Sequence, residues 1–138
     1  MIEFYYQEEY SDKFGLVLRP VAPILITNRS KSDKFILATM YIDSGADVTM
    51  IPLKAGEVLG FIYDTKKIFH MHGISGSLPC ILEKARLKIG NRRIYADITW
   101  ALIDEAPFLL GRRQVFKNFK ITFDESEKKI FFKQKGII

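Results

Sequence analysis

Asp43-Ser44-Gly45-Ala46 sits between two runs of β type, and this arrangement constrains the chain more than anything else in it. The first run, Phe35-Ile36-Leu37-Ala38-Thr39-Met40-Tyr41-Ile42, is apolar and suits a pleated, half-buried strand. After the turn, Asp47-Val48-Thr49-Met50-Ile51-Pro52 heads back toward a core. One strand therefore delivers a carboxylate into a turn where Gly45 and its small neighbours permit close backbone approach. The acidic turn occurs only once.

The rest of the chain extends the β reading. Leu16-Val17-Leu18 and Val21 to Thr27 are strand-like, and Pro20 and Pro23 push that stretch toward a sheet edge. Pro52 to Gly60 has room for one short helical turn, and Phe61 to Met71 returns to strand-like residues. His72-Gly73-Ile74-Ser75-Gly76-Ser77 is a glycine-bracketed turn. Leu78 to Ile89 alternates as a returning strand, and Gly90-Asn91 turns it tightly into a further strand, Ile94 to Ile103. Arg112 to Asn118 suits a short helix. Phe119 to Phe123 and Lys129 to Lys133 form a hairpin across Asp124-Glu125-Ser126-Glu127. The prediction is a mostly β domain with one or two short helices, no repeat and no low-complexity linker. At 138 residues there is chain for a single core.

Composition removes several classes of function. The net charge is +5, but the basic residues are dispersed (Lys66-Lys67, Arg92-Arg93, Arg112-Arg113, Lys128-Lys129) rather than clustered beside stacking aromatics, so no nucleic-acid partner is expected. The single cysteine, Cys80, rules out an intrachain disulfide, and its apolar neighbours mark a small buried thiol. The start of the chain lacks the basic and apolar regions of a signal peptide, and no apolar run is long enough to span a bilayer. The expectation is a cytoplasmic protein without a membrane partner. His70 and His72 share a strand face but have no nearby third ligand, so no metal and no cofactor are expected. Ser75 and Ser77 lack a recognisable histidine partner, and Trp100 reads as a packing residue.

With Phe108-Leu109-Leu110-Gly111-Arg112 added downstream of the acidic turn, the chain resembles the retropepsin-like aspartic proteases, single-domain relatives of the retroviral enzymes. The resemblance runs from about Arg19 to Phe132: an entry strand containing Pro20-Val21-Ala22-Pro23-Ile24-Leu25-Ile26, the Asp-Ser-Gly-Ala turn, a glycine-tipped flap, then two hydrophobic residues and a glycine. It implies a closed or partly open β-barrel carrying half of an active site. That chemistry uses two carboxylates holding one water, one acting as base and the other, protonated, polarising the scissile carbonyl. With one acidic turn per chain, the resemblance implies a homodimer with Asp43 and its symmetry mate on the two-fold axis.

The resemblance implies a role for each position. Asp43 is the expected acid/base, Ser44 hydrogen-bonds across the dimer axis, Gly45 accepts the substrate backbone and Ala46 leaves room beneath it. For Asp47, substrate contact, an ion pair with Arg112 and a plain turn residue all stand as readings. Thr49 packs behind the loop with Leu110 and Gly111. Gly73, Ile74, Ser75 and Gly76 form the flap tip, and Phe108, Leu109 and Ile74 line apolar pockets. Serine stands at position 44 where threonine is commoner in the family; it keeps the hydroxyl and loses a methyl. Residues 1–18 precede the resembling domain, 19–138, as a removable propeptide, an extra strand or an inhibitory arm, and the tail Lys133 to Ile138 is either a paired strand or a frayed end. The expected activity is a cofactor-independent aspartic endopeptidase that cleaves extended, mostly apolar segments of peptide or protein substrates. The alternatives are a protease-like fold kept as a peptide-binding or dimerisation module, and an unrelated small β-barrel binder.

Overall fold

The structure, a computed structural model, describes residues 1–73 and 76–135. The chain opens with three short strands, β1 (Ile2–Tyr5), β2 (Gln7–Ser11) and β3 (Gly15–Arg19). Next come β4 (Val21–Asn28), β5 (Phe35–Ile42), β6 (Thr49–Ile51) and the helix α1 (Leu53–Val58). A single 3-10 turn, Thr65–Lys67, leads to β7 (Phe69–Gly73), β8 (Gly76–Ile89) and β9 (Arg92–Ala101). The described residues end with β10 (Leu109–Leu110), β11 (Phe119–Asp124) and β12 (Lys129–Gln134).

The centre is a closed barrel. Its strands run in the order β4-β5-β10-β6-β9-β8, and β8 returns to pair with β4, with β7 attached outside β8. Period-two alternation fills it: Ile36, Ala38, Met40 and Ile42 of β5 point inward while Phe35, Leu37 and Thr39 point out. Ile24, Ile26, Ile81, Leu87, Ile98 and Trp100 are among the inward side chains with essentially no exposure. Each contributes about 1.5–3 kcal/mol of burial free energy, which favours barrel closure. The Trp100 indole donates from Nε1 to the Leu53 carbonyl at 3.0 Å and lies flat on Gly56 of α1. A Cβ at position 56 would fall 2.1 Å from that nitrogen, so the helix can sit there only with glycine at the contact.

A second sheet, β1-β12-β11, closes the ends of the chain on each other. Phe132 stands edge-on to both Phe4 and Phe119, at 5.4 Å in each case. Ile2 packs on the β8–β9 turn, where Gly90 has φ +61° and a Cβ would meet Ile2 at 2.7 Å. Among the described residues β2 and β3 pair only with each other.

Three local expectations change. Pro23 does not mark a free sheet edge along all of β4, because that strand pairs with β5 on one side and β8 on the other. The missing N–H is tolerated because Pro23 faces Thr39 of β5 and lies outside the β8 register, which starts at Ile24. Phe61 to Ile68 is not strand: it is irregular chain leading into the 3-10 turn at Thr65–Lys67, with Phe61 tilted against Trp100 at 5.8 Å. Arg112 to Asn118 is a chain of turns rather than a helix, because Gln114 takes φ 61° and breaks the regular ladder. The expectations for Ile74, Ser75 and the tail beyond Lys135 lie outside the described residues.

Candidate active site

Three strands of the barrel build the acidic turn. β10 runs parallel to β5 (Leu109 opposite Tyr41, Leu110 opposite Ile42) and antiparallel to β6 (Leu109 opposite Met50). It therefore threads between the strand entering the turn and the strand leaving it. The Asp43 N–H donates to the Leu110 carbonyl at 3.0 Å, and the Ile42 N–H to the Pro20 carbonyl at 3.0 Å. On the far side, the N–H groups of Arg112 and Arg113 donate to the carbonyls of Ala46 and Asp47, each at 2.9 Å. The turn is thus tied by backbone at both ends.

Close approach explains the residue types. A Cβ on Gly111 would lie 2.5 Å from the Val48 carbonyl carbon and 2.8 Å from the Thr49 nitrogen, so only glycine lets β10 pass. The buried Thr49 hydroxyl accepts the Gly111 N–H at 3.1 Å, which satisfies a donor that water does not reach. Inside the turn, the Gly45 N–H donates to Asp43 Oδ1 at 2.9 Å, and the Ala46 N–H to the Asp43 carbonyl at 3.2 Å. The Asp43 side chain is half-buried, and among the described residues no side chain donates to it. Its remaining lone pairs stay available beside the exposed Ser44 and Gly45.

The other predicted site residues fall into separate places. Asp47, on the surface, accepts a charge-assisted hydrogen bond from Arg112 Nη2. Leu110 is fully buried, and Leu109 is half-buried where β10 lies between β5 and β6. Phe108 lines a cavity of about 410 Å³ with Ile36, Leu37, Pro52 and Val58, on the β5–α1 side; that cavity contains no residue of the acidic turn. Gly73 and Gly76 face each other as the last pair of the β7–β8 hairpin, both exposed, with open space where a Cβ would be. Behind that hairpin a small cluster of Cys80, Ala101 and Ala106 packs with Met50, Met71 and Leu78 and roots it on the barrel. Burial pushes the Cys80 thiol pKa up, as suits an inert packing residue.

One residue behind the site escaped the sequence reading. Asp97 of β9 is 5% exposed and accepts from Lys84 Nζ at 2.8 Å, Arg113 Nε at 2.7 Å and Gln114 Nε2 at 2.9 Å. These bonds, Lys84 first, hold its carboxyl well below the usual carboxylate range. The network fixes the segment that follows Gly111, whose first N–H groups back the acidic turn. The available signal was an acidic residue inside an otherwise apolar strand, Ile94 to Trp100.

Among the described residues no group of three potential metal ligands comes together, and no helix is long and apolar enough to cross a membrane. No protein-family profile and no curated protein sequence matches the chain. Solved structures do. A retropepsin-like aspartic protease from Rickettsia conorii superposes with a TM-score of 0.59 at 16% identity, over 94% of this chain and 98% of its own. The EIAV protease, complexed with the inhibitor HBY-793, superposes with a TM-score of 0.52 at 20% identity, over 68% of this chain and 82% of its own. The chain has a retropepsin-like fold, and both of these neighbours are proteases.

Proposed function

We propose that the chain is an aspartic endopeptidase whose active site is completed by a second copy of itself. The observation that carries this reading is the Asp43 turn: a carboxylate held by a backbone N–H, anchored between β5 and β10, with lone pairs left open at the surface. One such turn per chain supplies half of a two-carboxylate site. Two carboxylates brought about 3 Å apart share a proton, and the pair titrates as a unit. The ionised member takes a proton from the bound water as its oxygen attacks the scissile carbonyl carbon. The protonated member gives its proton to the carbonyl oxygen. Collapse of the tetrahedral intermediate returns that proton to the carboxylate, breaks the C–N bond and moves the other proton to the departing amine.

In this reading Ser44 bridges the two turns across the axis, and Gly45, Ala46 and Asp47 meet the substrate backbone. The Gly73–Gly76 hairpin tip covers it, and Leu109 and Phe108 shape its side-chain preference. Thr49, Leu110, Gly111 and Arg112 hold the turn in place. A strand-shaped groove of this kind favours extended, mostly apolar segments, read through main-chain hydrogen bonds and alternate side chains. No cofactor enters the chemistry.

The test is cleavage of a mixed peptide library between about pH 4 and 7, wild type against Asp43→Asn, with and without chelator. Cleavage that is best at mildly acidic pH, indifferent to chelator and absent in the variant supports the proposal. Cleavage lost to chelator alone, or retained in Asp43→Asn, overturns it. A folded dimer that cleaves nothing points instead to a peptide-binding module.

A further inference from the structure

The β2–β3 hairpin has one protected edge and one unprotected edge. β2 carries Glu8 and Glu9, and a charged edge resists pairing with another strand. β3, Gly15-Leu16-Val17-Leu18-Arg19, is uncharged until its last residue. Its ladder runs only to β2, and among the described residues no other strand pairs with it. Leu16 is 70% exposed and Leu18 41% exposed, with the exposed Tyr10 beside Leu16 in register and Phe14 uncovered in the turn. A two-stranded hairpin is marginal alone, and an apolar open edge is a template for another chain.

The position of this edge identifies its occupant. β3 runs through Pro20 into β4, and the Pro20 carbonyl is bonded to Ile42, the residue before Asp43. The open edge therefore begins at the end of the barrel that carries the acidic turn. Glu9 ties the hairpin there, accepting from the Tyr41 hydroxyl and pairing with Arg19 at 3.4 Å.

We infer that two copies of the chain join through β3, antiparallel across a two-fold axis, into a four-stranded sheet with the two β2 strands outside. The inference rests on the homodimeric reading above and supplies an interface for it. Centred on Val17, the register sets Val17 against its counterpart, Leu16 against Leu18, and Arg19 against Gly15 of the other copy. The leucines cover each other, and each Arg19 keeps its own Glu9 as partner. Pairing through β2 instead would set Glu8 and Glu9 of both copies together. The contact is isologous, so it closes on a dimer and does not propagate.

A thiol at the axis tests this directly. In full-length protein, Val17→Cys should form an intermolecular disulfide rapidly under mild oxidation, because directly opposed positions bring Cβ atoms within about 5 Å. Glu8→Cys, on the β2 edge, should not, and the native Cys80 is wholly buried. Leu16→Glu/Leu18→Glu, at exposed positions that leave the barrel intact, should raise the half-dimerisation concentration by on the order of a hundredfold. Cross-linking of Val17→Cys no faster than Glu8→Cys, or a double variant as dimeric as wild type, overturns the inference. If wild type still shows Asp43-dependent cleavage in that case, the peptidase reading stands without it. Selective cross-linking at Val17 in a protein that cleaves nothing supports the interface and counts against the peptidase.

Discussion

Asp97 lies within a barrel strand and Asp43 in the turn that follows one, and the fold treats them in opposite ways. Asp97 lies almost fully buried and accepts from three side chains, two of them cationic. Asp43 accepts one backbone N–H and keeps its other lone pairs open. A carboxylate saturated by fixed donors is held ionised and does not exchange protons near neutral pH, so Asp97 acts as a rivet. A carboxylate oriented by backbone and otherwise free is suited to proton transfer. One segment links the two. The N–H groups of Arg112 and Arg113 back the acidic turn, while the side chains of Arg113 and Gln114 grip Asp97. The rivet thus stands behind the turn without touching it.

The comparison breaks first at Asp43. Asp43→Asn should lower peptide cleavage by about 10³-fold or more while leaving the melting temperature nearly unchanged, since its amide oxygen still accepts the Gly45 N–H. A large loss of stability there would mean that the turn carboxylate is structural too. Next in size is Gly111→Ala, where the new Cβ would press on the Val48 and Thr49 backbone. Backbone cannot rotate aside, so urea titration should show a loss of about 3 kcal/mol, with activity lost at the same time. At Asp97 the pattern reverses. Asp97→Ala should cost about 2 kcal/mol in the same titration, because three donors lose their acceptor and two of them can reach water.

Asp97 also sets a pH window. Its folded-state pKa is depressed, so its contribution is fully present above the unfolded value of about 4 and is lost as pH falls below it toward the folded value. Wild type should therefore lose stability steeply below about pH 4, and Asp97→Asn should flatten that slope. Mildly acidic assays stay clear of this window, which separates the pH dependence of cleavage from that of unfolding.

The fold was legible in the sequence where alternation or a turn signal was local. The β5 strand, its acidic turn, the Gly90-Asn91 hairpin and the closing β11–β12 hairpin all follow from neighbouring residues. The β1–β12 pairing was not legible, since it joins the two ends of the chain and Ile2 to Tyr5 carries no mark of its partner. The Asp97 network was hidden for the same reason: Lys84 and Gln114 come from elements on either side, and Gln114 reaches it only by adopting φ 61°. That same conformation turned an expected helix into a series of turns. In the site, the reason for Gly111 was invisible because it depends on Val48, a residue far away along the chain. What the sequence carried was the turn and the strand that enters it; the structure added what holds the turn in place.

Arg112 sharpens the comparison at its small end. Its guanidinium meets Asp47 on the surface, with both side chains more than half exposed. Water screens such a pair and both side chains give up rotamer freedom to form it, so Arg112→Ala should cost no more than about 1 kcal/mol. Its backbone N–H, bonded to Ala46, survives the substitution and keeps the turn anchored. If Arg112 only ties down Asp47, the variant should cleave at nearly the wild-type rate with a modest rise in KM, as Asp47 loses its fixed orientation toward a bound peptide. Double-mutant coupling between Asp47→Asn and Arg112→Ala measures this, and a coupling energy well above about 1 kcal/mol would move the pair from the surface class to that of Asp97. The rule that separates the two aspartates then applies here as well: how far a charge pair holds the structure depends on how far its carboxylate is kept from water, nearly complete at Asp97 and slight at Asp47.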